Sequence, residues 1–127
     1  MSVSFNVIER GEPGVAGGGQ KKYYASLVSK GEVGVDDLTS YIEDASTVNG
    51  ADIRAVIYAL ITNVSKELAK GNIVKLGDLG TFRLSISSEG HEEEDKVSAN
   101  SVKSAKILFR PGSKLNTMLK TLDYKKA

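Results

Sequence analysis

The chain has 127 residues, enough for one packed core and an appendage, and its 17 Lys and Arg against 16 Asp and Glu leave a net charge of +1. That balance argues against a strongly basic nucleic-acid binder. The absence of cysteine removes disulfides, thiol nucleophiles and cysteine-bound zinc together, and fits a reducing compartment.

No apolar run approaches the ~18 residues of a membrane span. The opening Met1-Ser2-Val3-Ser4-Phe5-Asn6 alternates apolar with polar and has no basic lead, so it reads as a strand and not as a signal peptide. Val3, Phe5 and Val7 share one face at period two, which predicts a half-buried strand over residues 1–10. Gly11 to Gln20, with Pro13 and the Gly17-Gly18-Gly19 run, is a loop. Alternation returns from Lys21 to Ser29 through Tyr23, Ala25 and Leu27. Residues 1–32 are therefore expected to be a β extension, a hairpin that adds to a sheet edge or pairs with another chain. Gly14 and Gly19 have phosphate-loop spacing. The residues that follow are Gln20-Lys21-Lys22, however, so the magnesium-binding hydroxyl of such a loop is missing.

From Val35 the period becomes helical. Asp36 is a plausible N-cap, and Leu38, Tyr41, Ile42 and Ala45 form one stripe on a short helix. A longer helix follows the Ser46 to Gly50 break, with Ile53, Val56, Ile57, Leu60, Ile61, Val64 and Leu68 apolar and Gly71-Asn72 ending it. A helix apolar over so much of its surface needs cover from more than one side, and the first helix is too short to give it all. The simplest remaining cover is a second copy of the chain.

Ile73 to Leu76 reads as a brief strand, and Lys75 to Phe82 as a strand end, a tight turn on Gly77 and Gly80, and the start of another strand. In the strand from Phe82 to Ser88, Phe82, Leu84 and Ile86 alternate with Arg83, Ser85 and Ser87. Glu89 to Asn100 is an exposed loop or ribbon tip. The strand from Ser101 to Phe109 puts Ala105, Ile107 and Phe109 inward with Lys106 and Arg110 opposite. Lys103 shares the inward parity, so it faces outward only if it lies beyond the packed part of the sheet. The last helix is expected to begin near Pro111 and to carry Leu115, Met118, Leu119 and Leu122, with Lys114 and Lys120 on its exposed side.

Charge is segregated along the chain. Lys96 to Ala127 holds eight basic residues and one acidic residue, Asp123, whereas Glu89 to Asp95 holds five acidic residues and no basic one. Such segregation can build a basic face on a nearly neutral protein. Catalytic equipment is scarce. The one histidine, His91, lies among Glu92, Glu93, Glu94 and Asp95, types that bind divalent cations, but adjacent residues point in different directions and a solvated acidic loop is the favoured reading. Ser and Thr are plentiful but lack a positioned base. Neither an enzyme, a cofactor nor a metal site is expected.

Lys75-Leu76-Gly77-Asp78-Leu79-Gly80-Thr81-Phe82 and Phe109-Arg110-Pro111-Gly112-Ser113-Lys114-Leu115, preceded by the two helices, resemble the HU and integration host factor family of DNA-bending proteins over roughly Val35 to Leu122. In that family a glycine-rich turn ending in Gly-Thr-Phe or Gly-Asn-Phe precedes a long β-arm, and Phe-Arg-Pro-Gly-x-Lys-Leu leads into the last helix. The resemblance implies an α+β fold with a two-helix dimerisation base, a three-stranded antiparallel sheet extended into an arm at about 86–104, and a C-terminal helix, over residues 33–127. It implies a homodimer that binds double-stranded DNA through phosphates with low sequence specificity, in the cytoplasm and on the nucleoid. Arg110 and Lys114 match phosphate-contacting positions flanking the saddle between the arms. Arg83 matches the base of the arm, with Lys103 and Lys106 along the returning strand. Duplex binding suits such residues: a guanidinium takes a phosphate bidentately, and the last helix's free amides point at the same region.

The chain departs from the family at the tip, where Glu89 to Asn100 is acidic and has no proline to wedge between base pairs, and at Asp78-Leu79, where Gly-Phe is usual. It looks like a divergent branch from Bacteroidetes-type bacteria. Acidic arms and extra N-terminal strands also allow another reading, a protein-interaction module on the same scaffold that has lost strong DNA binding.

Overall fold

The structure, a computed structural model, describes residues 2–127, which leaves the expected strand position at Met1 outside the described residues. In chain order the elements are β1 (Ser2–Arg10), β2 (Lys22–Leu27), α1 (Val35–Ala45), α2 (Gly50–Ala69), β3 (Val74–Lys75), β4 (Gly80–Ser88), β5 (Val102–Pro111), α3 (Ser113–Lys120) and β6 (Asp123–Lys126). They form an α+β fold with two three-stranded sheets, ordered β2-β1-β6 and β3-β4-β5. The chain divides into two compact units: Met1–Gly34 together with Met118–Ala127, and Val35–Thr117.

In the first unit β1 and β2 are antiparallel, with Phe5 opposite Leu27 and Val7 opposite Ala25. The apolar positions of both strands therefore share one face. β6 pairs in parallel with β1, setting Tyr124 beside Val3 on that face. The face is open: Leu27 is 70% and Tyr124 66% exposed. On the other face the Arg10 guanidinium lies 4.9 Å from the centre of the Tyr24 ring. β6 corrects the expectation for the end of the chain. The last helix was expected to carry Leu122, but α3 stops at Lys120 and Asp123–Lys126 joins the N-terminal strands.

In the second unit, Asn49 caps α2 by accepting from the Asp52 amide at 2.9 Å, and Glu43 on α1 accepts from the Gly50 amide, which fixes the corner between the helices. Thr39 is buried at this corner. Gly71, at a φ of 87°, ends α2, and its amide donates to the Leu68 carbonyl. The sheet is antiparallel throughout, with Val74 opposite Phe82 and Phe82 opposite Phe109. The Phe82 and Phe109 rings meet with centroids 4.9 Å apart.

Little of this apolar surface is covered. Among the described residues only Ile53 and Leu68 are buried hydrophobics, while Val56 on α2 is 66% and Ile61 55% exposed. Between α2 and the sheet lies a groove of about 600 Å³ lined by Leu60, Ile61, Val64, Leu76, Phe82 and Ile107, among others. The accessible surface is 10467 Å², whereas two compact units of these sizes would expose roughly 8,000 Å² in all.

Candidate nucleic-acid interface

The two motifs that carry the family resemblance form one joint. Leu76 and Gly80 close the turn, the Leu76 amide donating to the Gly80 carbonyl at 2.8 Å. The Gly112 amide then donates to the Leu79 carbonyl at 3.0 Å, and the Ser113 hydroxyl donates to the Asp78 carboxylate at 2.7 Å. Asp78 therefore holds the start of α3 as well as adding charge to the turn. The approach is close enough to demand glycine. A Cβ on Gly80, whose φ is +152°, would lie 2.5 Å from the Arg110 carbonyl oxygen and 2.6 Å from the Phe109 ring. Pro111 was expected to open the last helix. It is instead the final residue of β5, opposite Gly80, and α3 begins at Ser113.

This joint sets the register, and the register sorts the side chains. Phe82, Leu84 and Ile86 pair with Phe109, Ile107 and Ala105 on the face toward α2, as alternation predicts. The opposite face carries Thr81 against Arg110, Arg83 against Leu108, Ser85 against Lys106, and Ser87 against Ser104. On the third strand Lys75 is opposite Thr81, so Lys75, Thr81 and Arg110 form one cross-strand row. Lys75, Arg83 and Arg110, with Ile73, Thr81 and Leu108, line a groove of about 730 Å³.

Of the residues singled out from sequence, Arg83, Lys106 and Arg110 thus share one sheet face, and Lys114 follows on α3. Lys103 is separate from them. The register jumps from Ser87 opposite Ser104 to Ser88 opposite Val102, so Lys103 is the extra residue of a bulge and has left the alternation that assigned it inward. All five are exposed. The ion pairs among the described residues are Lys22 with Glu12, Arg54 with Asp36 and Lys70 with Glu67, none of which uses these five cations or Lys75. A concave face with unneutralised guanidinium and ammonium groups and a hydroxyl can hold phosphate-like anions. Lys75 is the cation sequence reasoning missed. Its signal was the apolar pair Val74 and Leu76 on either side, which puts Lys75 on the opposite face.

The arm tip is an exposed loop, as expected, and hydrogen bonds also order it. The Glu89 amide donates to the Ser101 carbonyl at 2.8 Å, and the Ser101 hydroxyl oxygen lies 3.0 Å from His91 Nε2 and accepts from the Ser98 amide at 3.1 Å. Ser101 is 3% exposed. Short 3₁₀ turns at Glu94–Lys96 and Ala99–Ser101 complete it. His91 pins this tip to Ser101, and no His and carboxylate group suited to a metal occurs among the described residues.

A two-helix base, an antiparallel sheet drawn out into a two-stranded arm, and a short helix locked to the turn at the arm's root define an HU-like domain. The chain belongs to the family described as an HU domain fused to a winged helix-turn-helix, immunoglobulin-like or glycine-rich motif, whose model matches residues 1–126. No curated protein matches it. A crystal structure from Bacteroides vulgatus, described as a "Putative bacterial DNA binding protein", is similar in fold, with a TM-score of 0.67 at 12% identity over 97% of this chain. This chain spans about half of that one, 47% of its length.

Proposed function

We propose that this chain is a non-enzymatic HU-like protein that binds double-stranded DNA as a homodimer, mainly through phosphate contacts and with little base readout. One observation carries the reading: Lys75, Arg83, Lys106 and Arg110 stand on one sheet face with no carboxylate partner among the described residues. Lys114 follows the joint that orders Arg110. Cations without an ion-pair partner among the described residues can replace the counterions of a phosphate backbone, whose release drives binding without reference to sequence. Lys103, carried out of register by the bulge, stands at the edge of this face. The family and the similar structure described as DNA-binding support this reading, and a cytoplasmic, nucleoid-associated location goes with it.

The homodimer rests on the uncovered α2 surface. Val56 and Ile61 on α2, and the groove between α2 and the sheet, are the apolar surface that an obligate interface would cover.

The test is fluorescence anisotropy against a labelled ~30-base-pair duplex at low and near-physiological salt, with light scattering for the mass of the free protein. Micromolar or tighter binding that weakens steeply with salt is expected. Replacing both Arg110 and Lys114 by Glu abolishes it while the dimer mass is kept. Binding that survives the double replacement refutes the surface. The folded acidic tip and the open apolar face of the N-terminal sheet favour a second reading, a protein-interaction module. Absence of duplex binding at low salt selects that reading.

A further inference from the structure

The cationic sheet face ends abruptly. From Thr81 to Ser87 on β4, and from Ser104 to Arg110 on β5, the face away from α2 carries Arg83, Lys106 and Arg110 with hydroxyls and Leu108, and no carboxylate. Its last rung is the Ser87 and Ser104 hydroxyl pair, 2.8 Å apart. The next rung is the bulge at Lys103. Beyond it the sign of the charge reverses: Glu89, Glu92, Glu93, Glu94 and Asp95 face a single Lys96. This acidic segment is also closed on itself through Ser101, which His91 and the Ser98 amide hold in a buried position. A tip folded in this way is not an unstructured strand waiting to be laid along a groove.

We propose that the bulge marks where duplex contact stops: the β4–β5 ribbon touches DNA only along Thr81–Ser87 and Ser104–Arg110, and the folded acidic tip turns the phosphate backbone away. The inference rests on the DNA-binding reading and adds the length of the partner's contact to it. Six residue steps at ~3.3 Å span about 20 Å, or roughly six base pairs at 3.4 Å each. Past that point the carboxylates repel the next phosphates over a range of about 8 Å at physiological salt. The bulge bends the ribbon at the same place. Each arm therefore lies along a short tract of duplex and does not continue around it.

Hydroxyl-radical footprinting of the full chain on a ~40-base-pair duplex, beside a variant with Glu92→Gln, Glu93→Gln, Glu94→Gln and Asp95→Asn, tests this. These side chains are exposed, and the backbone hydrogen bonds of the tip do not depend on their charge. Circular dichroism checks that the variant is folded. The protected tract is expected to lengthen by about half a helical turn, ~5 base pairs, at each flank. Affinity at low salt is expected to rise at least ~10-fold as the repulsion is removed. Binding by both proteins with the same tract length overturns the stop, even if affinity rises, because a general charge effect strengthens binding without lengthening contact. No protection by either protein at low salt overturns the DNA-binding reading itself, and the stop with it.

Discussion

Lys75 gives the sharpest test of the sheet face, because it enters through the register of three strands and has no ion-pair partner among the described residues to lose. Replacing it with Gln keeps the length and polarity of the side chain and removes one positive charge per protomer. Log affinity falls with log salt at about 0.9 per phosphate neutralised, so two copies account for a slope of about 1.8. Between 50 and 200 mM salt, a fourfold change, that slope difference is worth about 12-fold in affinity. The variant should therefore bind more weakly than the parent at 50 mM, with the deficit shrinking about 12-fold by 200 mM. Anisotropy titrations at four or five salt concentrations measure both slopes. Thermal stability should be unchanged, since Lys75 is exposed and β3 is held by its backbone pairing with β4. Parallel slopes for the two proteins refute the placement of Lys75 among the phosphate contacts.

The joint makes a stability prediction. Gly80→Ala forces a Cβ against the Arg110 carbonyl and the Phe109 ring, and should cost at least ~2 kcal/mol in urea unfolding. Gly90→Ala, whose Cβ meets nothing within 4 Å, serves as the neutral control. Equal midpoints for the two variants refute the close approach. Glu67 makes a pH prediction. Hydrogen bonds from the Asn72 amide group and from Lys70, with the Lys70 charge, hold its carboxyl below the ordinary value of 4.5. A depressed folded value means that this contribution is present above the unfolded pKa and lost as pH falls through the folded one, so the effect lies in the acid range below about 4.5. Asn72→Ala should move the carboxyl back toward 4.5 in an NMR titration. An unmoved titration refutes the Asn72 bond as its main cause.

Much of the second unit was legible because its patterns are local. The apolar spacing from Ile53 to Leu68 marks α2. The alternation of Phe82, Leu84 and Ile86 with that of Ala105, Ile107 and Phe109 anticipates the faces of the observed register. What stayed hidden depends on contacts between distant residues. Lys103 obeys the inward parity in sequence, and only the jump from Ser104 to Val102 shows that it escapes it. The Ser101 hydroxyl looks ordinary until His91 and Ser98 are seen around it. Asp78 reads as a surface charge because its partner, Ser113, lies 35 residues away. β6 has only Tyr124 as an apolar signal, and its partner is at the other end of the chain.

The parallel pairing of β6 with β1 has a consequence in time. Ser2 pairs with Asp123, so β1 is made about 120 residues before its neighbour exists, an interval of roughly 6 to 24 s at 5–20 residues per second. Through that interval β1 and β2 can form only a two-stranded hairpin, which is marginal in water. The helices, the turn joint and the arm all emerge earlier than Asp123–Lys126 and contain their own pairings, so they can order first. β1 is thus made long before its sheet can be completed, with one edge unpaired until β6 arrives.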